Sequence, residues 1–336
     1  MRLLYFKTKI PNFGDDLNGF LWPHLVPELF EDDNRQGFLG IGTIIGMQFP
    51  EIERLHVFSS GVGYLPVDRH DSNRQVWCVR GPLSAEQLGI DADKALTDGA
   101  ILSPRLYPKP STSLGTVVIP HWETLLHNDW DSVCRNAGMT LIDPMGAVSD
   151  VIPKIASAKL VLTESLHGAI IADTYGIPWI AFTTNKSFSV FKWTDWTRSV
   201  GLPLKLRVIA PPSGEVLLRM GMPTLGRWGQ AVEPTQAQLT NEITQRVAPR
   251  HAAVAPPPKG GVAAALKQQA KKFVLGNQVT ARLMGIGAEM TAQQLTDLAK
   301  TETPSLSTAE RRAELTERML GRLLDLCRTQ GVEPKL

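Results

Sequence analysis

A strand-like apolar run that stops at polar side chains constrains this chain more than any other feature. Val161-Leu162-Thr163 leads into Glu164-Ser165-Leu166-His167-Gly168, and Ala169-Ile170-Ile171-Ala172-Asp173 follows. The first part reads as the end of a buried strand, and helical periodicity resumes after the polar cluster. In an open parallel α/β sheet, ligands bind beyond the carboxyl ends of the strands. Glu164, Ser165 and His167 therefore stand at a ligand-binding edge. Strands are expected at residues 3–6, 56–63, 76–79, 117–121, 139–142, 159–163 and 179–182, alternating with helix signals. A turn-rich stretch at residues 11–16 precedes a helix from Leu17, and Pro82 opens a helix that Gly89 ends. Residues 125–136 and 151–158 are further helix expectations, the second with Pro153 in its first turn. Such alternation predicts parallel α/β layers over an all-β sandwich.

With 336 residues, 43% of them hydrophobic, two domains of ordinary size are expected over one very large one. The composition shifts at residues 107–113, which are rich in Pro and Ser. The expected division is a first α/β domain at 1–108 and a second at 109–248. Residues 249–262, with Pro256-Pro257-Pro258-Lys259-Gly260-Gly261 among them, read as an exposed linker or loop. A helical C-terminal extension then occupies 263–336, beginning with helical composition at 263–275. Ser307 and Glu310 form a capping box for a helix reaching Cys327, with Ala313, Leu320, Leu323, Leu324 and Cys327 along one side. That side packs on this protein, on a second copy in a homo-oligomer, or on a membrane assembly.

A formal net charge of +2 makes no case for a nucleic-acid partner. Cys78, Cys134 and Cys327 are too widely separated for a close metal motif or a disulfide framework. Lys7 and Lys9 interrupt the apolar N-terminal run, and no stretch reaches membrane-spanning length. The expected location is cytoplasmic, with a peripheral position at the inner face of the cell membrane as its variant.

Four segments occur in order within residues 1–202: Asn12-Phe13-Gly14-Asp15-Asp16-Leu17, Val79-Arg80-Gly81-Pro82-Leu83-Ser84, Glu164-Ser165-Leu166-His167-Gly168 and Phe191-Lys192-Trp193-Thr194-Asp195-Trp196. Together they resemble the polysaccharide pyruvyl transferase family, nearest to its exopolysaccharide type. The resemblance implies two α/β domains in a GT-B-like arrangement facing a cleft. It also implies transfer of the pyruvyl unit of phosphoenolpyruvate to two hydroxyls of a sugar on a lipid-linked saccharide, closing a cyclic ketal and releasing phosphate. No cofactor and no metal are expected for that chemistry. Ser165 stands where similar proteins carry an arginine, so another basic residue must supply the charge for the donor.

A donor with a carboxylate and a phosphate needs cations and oriented hydrogen-bond donors. Arg80, after an expected strand, suits an anion clamp or a structural salt bridge. Lys192 suits donor or sugar binding, or a solvated position. Ser165 and Gly168 open a helix whose amides favour an anion. His167 beside them binds donor oxygens, relays a proton, or makes a structural hydrogen bond. His121 follows another strand end and is a candidate for the same cleft. Asp15 and Glu164 are candidate proton-transfer groups, against turn-stabilising and helix-capping alternatives. Asn12, Asp16 and Asn18 orient their loop or contact sugar. Trp193 and Trp196 stack on a sugar face or pack on a core. Two rival activities share these features: glycosyl transfer from a nucleotide sugar, and saccharide binding without catalysis.

Overall fold

The computed structural model describes residues 1–30, 35–247 and 274–334. The first sheet contains β1 (Arg2–Leu4), β2 (Gln36–Leu39), β3 (Arg54–Phe58) and β4 (Arg74–Cys78), all parallel and in that order. Parallel neighbours need crossovers, and two short helices, α1 (Phe13–Asp16) and α2 (Asn18–Leu25), lie in the first of them. After β4 comes α3 (Pro82–Leu88). Pro82 occupies its first turn and Gly89 ends it at φ 67°. The expected start and stop signals both hold there.

The second sheet has six strands in the order β10-β9-β8-β7-β5-β6. They are β5 (Thr116–Ile119), β6 (Thr140–Leu141), β7 (Leu160–Thr163), β8 (Trp179–Thr183), β9 (Leu206–Val208) and β10 (Ala231–Val232). Only the edge pair β10–β9 is antiparallel. Every residue of β8 is buried, as expected of a strand covered on both faces. The intervening helices are α4 (Trp122–Leu125), α5 (Trp130–Ala137), α6 (Val148–Ala156), α7 (Leu166–Thr174) and α8 (Val190–Ser199). Beyond them lie α9 (Gly214–Met220), α10 (Gln236–Val247), α11 (Gln278–Leu283), α12 (Ala288–Thr301) and α13 (Ala309–Thr329). The chain is thus an α/β protein with two sheet-containing regions and a C-terminal helical extension. The expected linker at 249–262 and most of the expected helix at 263–275 lie outside the described residues.

Three expectations about helices are corrected. Residues 125–136 form no single helix: α4 stops at Leu125, and Asp129 caps α5 by accepting from the Ser132 amide at 2.9 Å. Pro153 lies inside α6, which starts earlier, at Val148. A buried stripe of Val148, Val151, Ile152 and Ile155 offsets the cost of about 3 kcal/mol for an interior proline. The cap of α13 is Thr308, accepting from the Arg311 amide at 3.1 Å; Ser307 hydrogen-bonds Asp173 instead.

The buried stripe of α13 is Leu315, Met319, Leu323, Leu326 and Cys327, so Ala313 faces solvent and the expected face is rotated. This stripe packs back on the first sheet, where Met319 Sδ lies 3.7 Å from Cys78 Sγ. Earlier, α12 packs Ala292, Leu295 and Leu298 against Trp130, Val133 and Cys134 of α5. The extension therefore covers both regions. Among the described residues, no helix is long and apolar enough to cross a membrane.

Candidate active site

Loops beyond the carboxyl ends of strands from both sheets come into contact with one another. Asn12 caps α1 by accepting from the Gly14 amide at 3.1 Å, and Asp16 accepts from the Asn12 amide at 3.1 Å. The Phe13 amide donates to Pro144 O at 3.0 Å, which ties this loop to the second region. Only glycine fits at position 14, because a Cβ there would lie 1.9 Å from Nδ1 of His167. The motif around Asp15 and the motif around His167, far apart in sequence, are thereby in contact.

His167 lies in the first turn of α7, whose cap Ser165 accepts from the Gly168 amide at 3.3 Å. Burial, then the charges of Lys192 and Arg80, hold its pKa down at about 3. The positive end of α7 acts in the same direction. His121, beyond β5, is lowered to about 3 by burial and then by Lys192. Its Nδ1 accepts from the Glu123 amide at 3.4 Å, which leaves the ring proton on Nε2. The Glu123 carboxylate sits 3.5 Å from Nδ1. Asp15 moves the opposite way: burial raises its pKa from 3.8 to about 7, against the pull of Lys192. Asp15, His121, His167 and Lys192 all keep partial exposure. The Lys192 charge lowers the pKa of each of the other three. The Lys192 ammonium donates to the Tyr64 hydroxyl and lies 4.4 Å from that ring centroid.

A second set of polar residues beneath these side chains is buried. Arg80 is 1% exposed. Its guanidinium contacts Asp195 Oδ2 at 3.1 Å, Thr43 Oγ1 at 2.6 Å and Val62 O at 3.3 Å. Asp195 also accepts from the Ser84 amide and hydroxyl at 2.9 and 2.6 Å. The glycine after Arg80 allows the crossing, since a Cβ at Gly81 would lie 2.0 Å from Asp195 O. Arg80 thus makes the salt bridge that was one of its two expected roles. Glu164, 4% exposed, accepts four hydrogen bonds, from the His121 amide, the Thr124 hydroxyl and the Thr184 amide and hydroxyl. Burial raises its pKa against those four donors, and its geometry braces the ends of β5 and β8. That bracing is the structural one of the roles expected for Glu164.

Asn18 is likewise spent. It donates to Asp15 O and Ile41 O at 2.9 and 3.0 Å, and accepts from Trp22 Nε1 and the Ile41 amide, both at 2.8 Å. Trp193 and Trp196 are 2% and 1% exposed and pack with Trp179 and Phe188, so sugar stacking is replaced by core packing. Helical periodicity explains the whole segment. Val190 and Phe191 join the core of the first region, the two tryptophans face β8, and Lys192 and Asp195 share a polar side. Asp195, Thr43 and Tyr64 escaped the sequence reading. Asp195 had a signal, lying one helical turn after Lys192; Thr43 and Tyr64, on loops, had none. Among the described residues, no three His, Cys, Asp or Glu side chains gather as a metal site.

The family model for polysaccharide pyruvyl transferase matches residues 56–186, which include Arg80, His121, Glu164 and His167. The chain is also similar to the succinoglycan biosynthesis protein ExoV of Rhizobium meliloti (strain 1021). Identity is 31% over 253 residues, covering 72% of this chain and 80% of that one. Sequence shared over most of both chains settles the assignment: the protein belongs to the polysaccharide pyruvyl transferase family.

Proposed function

We propose that this chain transfers the pyruvyl group of phosphoenolpyruvate to two hydroxyls of a lipid-linked saccharide, forming a cyclic ketal and releasing phosphate. One observation carries the reading: a chain of the polysaccharide pyruvyl transferase family brings its Asp15 and His167 motifs into direct contact. The two regions act as GT-B-like domains, divided near residue 108, with both motifs facing their cleft.

Lys192 supplies the charge for the donor's anionic groups, in the place of an arginine at position 165. The first-turn amides of α7 add oriented donors. Asp15, protonated near neutral pH, is the general acid that delivers a proton to the donor's methylene carbon. The adjacent carbon becomes oxocarbenium-like and is attacked by the first sugar hydroxyl, whose proton passes to His167 or His121. The second hydroxyl then displaces phosphate, which leaves with the C–O bond electrons, while that hydroxyl's proton returns to the Asp15 carboxylate and the ring closes. Asn12 and Asp16 border the acceptor side. Exclusion of water from the cleft protects the cation.

The test is incubation with phosphoenolpyruvate and lipid-linked saccharides, followed by mass analysis. A ketal-bearing saccharide and one equivalent of phosphate are expected. Release of a nucleotide from a sugar donor, with no ketal, would replace this reading by glycosyl transfer.

A further inference from the structure

A cavity of about 520 Å³ lies beside the edge strand β4, next to α13. Its lining includes Arg54, Arg74, Lys94 and Arg322, together with Ser72 and the indole of Trp77, and no carboxylate. These groups come from the starts of β3 and β4, from the turn after α3, and from α13. Arg54 and Arg74 open their strands, whereas Lys94 lies beside Val79 past the end of β4, so the cavity runs along the flank of the sheet and shares no lining residue with the proposed catalytic site.

Clustering four cations around one cavity is unfavourable unless anions face them. The protein supplies only part of that compensation. Arg322 pairs with Asp93 at 2.6 Å, and Arg74 meets Asp71 at a loose 3.9 Å. Arg54 and Lys94 make no ion pair with a described residue. Arg74 is held in place by donating to Asp68 O, and its side chain is only 6% exposed. A cation so nearly buried beside three others is preorganised for an anion. Trp77 is also fixed: its Nε1 donates to His56 Nδ1 at 3.1 Å, and the two rings stack at 18°. Gln36 holds the other nitrogen of His56 at 2.7 Å.

The cavity falls in the range of about 300–1,000 Å³ that holds whole organic ligands, more than a single phosphate fills. Arginine forks suit phosphate oxygens, and the half-exposed indole offers an apolar face beside them. We propose that this cavity binds a diphosphate group carried on an organic moiety. Two sources share that chemistry, a soluble nucleoside diphosphate and the diphosphate headgroup of a polyprenyl lipid.

The full chain would be titrated by calorimetry with inorganic pyrophosphate in low salt. Controls are Arg54→Glu/Lys94→Glu in the cavity, Arg219→Glu on the remote helix α9, and Lys192→Met at the proposed catalytic site. Saturable binding is expected in the wild type, the Arg219→Glu control and the Lys192→Met control, weakened at least tenfold in the double variant. Binding should also weaken as salt rises. A nucleoside diphosphate, or vesicles carrying a polyprenyl diphosphate, that binds more tightly than pyrophosphate and loses this gain in the double variant identifies the source. No saturable binding, binding unchanged in the double variant, or binding lost only in Lys192→Met would overturn the proposal. None of these readouts requires turnover, so they stand or fall separately from the ketal assay.

Discussion

Two polar layers lie one beneath the other in this protein, and they differ in what remains unspent. In the lower layer, Asn18 and Glu164 have their hydrogen-bonding capacity filled by protein, and Arg80 lies under the surface in contact with Asp195, Thr43 and Val62. In the upper layer, Asp15, His121, His167 and Lys192 keep partial exposure while burial pushes the titrating groups away from their ordinary values. A buried polar group with every partner present stabilises geometry. A group with a displaced pKa and an open side can exchange a proton or hold a ligand. Residues from the same sequence motifs fall on both sides of this division.

The largest separation is expected from Arg80→Gln. It leaves Asp195 without its cation, and breaking a buried pair costs about 3–5 kcal/mol. Chemical unfolding should show that loss; a cost below about 1 kcal/mol would break the distinction between the layers. Next is Lys192→Met, predicted to raise KM for phosphoenolpyruvate roughly 10- to 100-fold, since a hydrogen bond to a charged group contributes about 1.5–3 kcal/mol. Unfolding should barely change.

The pH profile sharpens the contrast. With Asp15 proposed as a general acid that acts in its protonated form, kcat/KM should fall as pH rises through about 7. In Lys192→Met that limb should move to higher pH, because Lys192 is the group that lowers Asp15. The histidines act on stability with the opposite sign. Their folded pKa values of about 3 lie below the ordinary 6.5, so the unfolded chain binds more protons between those values. Stability should decrease as pH falls from 6.5 towards 3, and His167→Gln should flatten that decline. The smallest effect belongs to Thr308→Ala, with about 1 kcal/mol lost from the α13 cap.

Much of this was readable from the residues. Strand ends followed by polar clusters located β5, β7 and the candidate site residues, because period and punctuation are local properties. Pro82 and Gly89 bounded α3 for the same reason. The division between layers was not readable, since it depends on which side chains meet across distant segments. Arg80 looks like an anion clamp until Asp195, 115 positions later, is placed against it. Trp193 and Trp196 look like sugar platforms until Trp179 covers them. The rotated face of α13 has the same origin: its stripe is set by the groove beside β4, which the helix sequence does not encode alone.

In the proposed reaction Asp15 delivers the proton that starts ketal formation, and as an anion it contributes no stability of its own. Asp15→Asn tests this most directly, with kcat/KM and thermal unfolding measured on the same preparation. A loss of roughly 10²–10⁴ in kcat/KM is predicted, with a midpoint equal to or above that of the wild type above pH 7, where the native carboxylate is charged and buried. Activity within about threefold of the wild type, or a loss of activity matched by unfolding, would contradict the account.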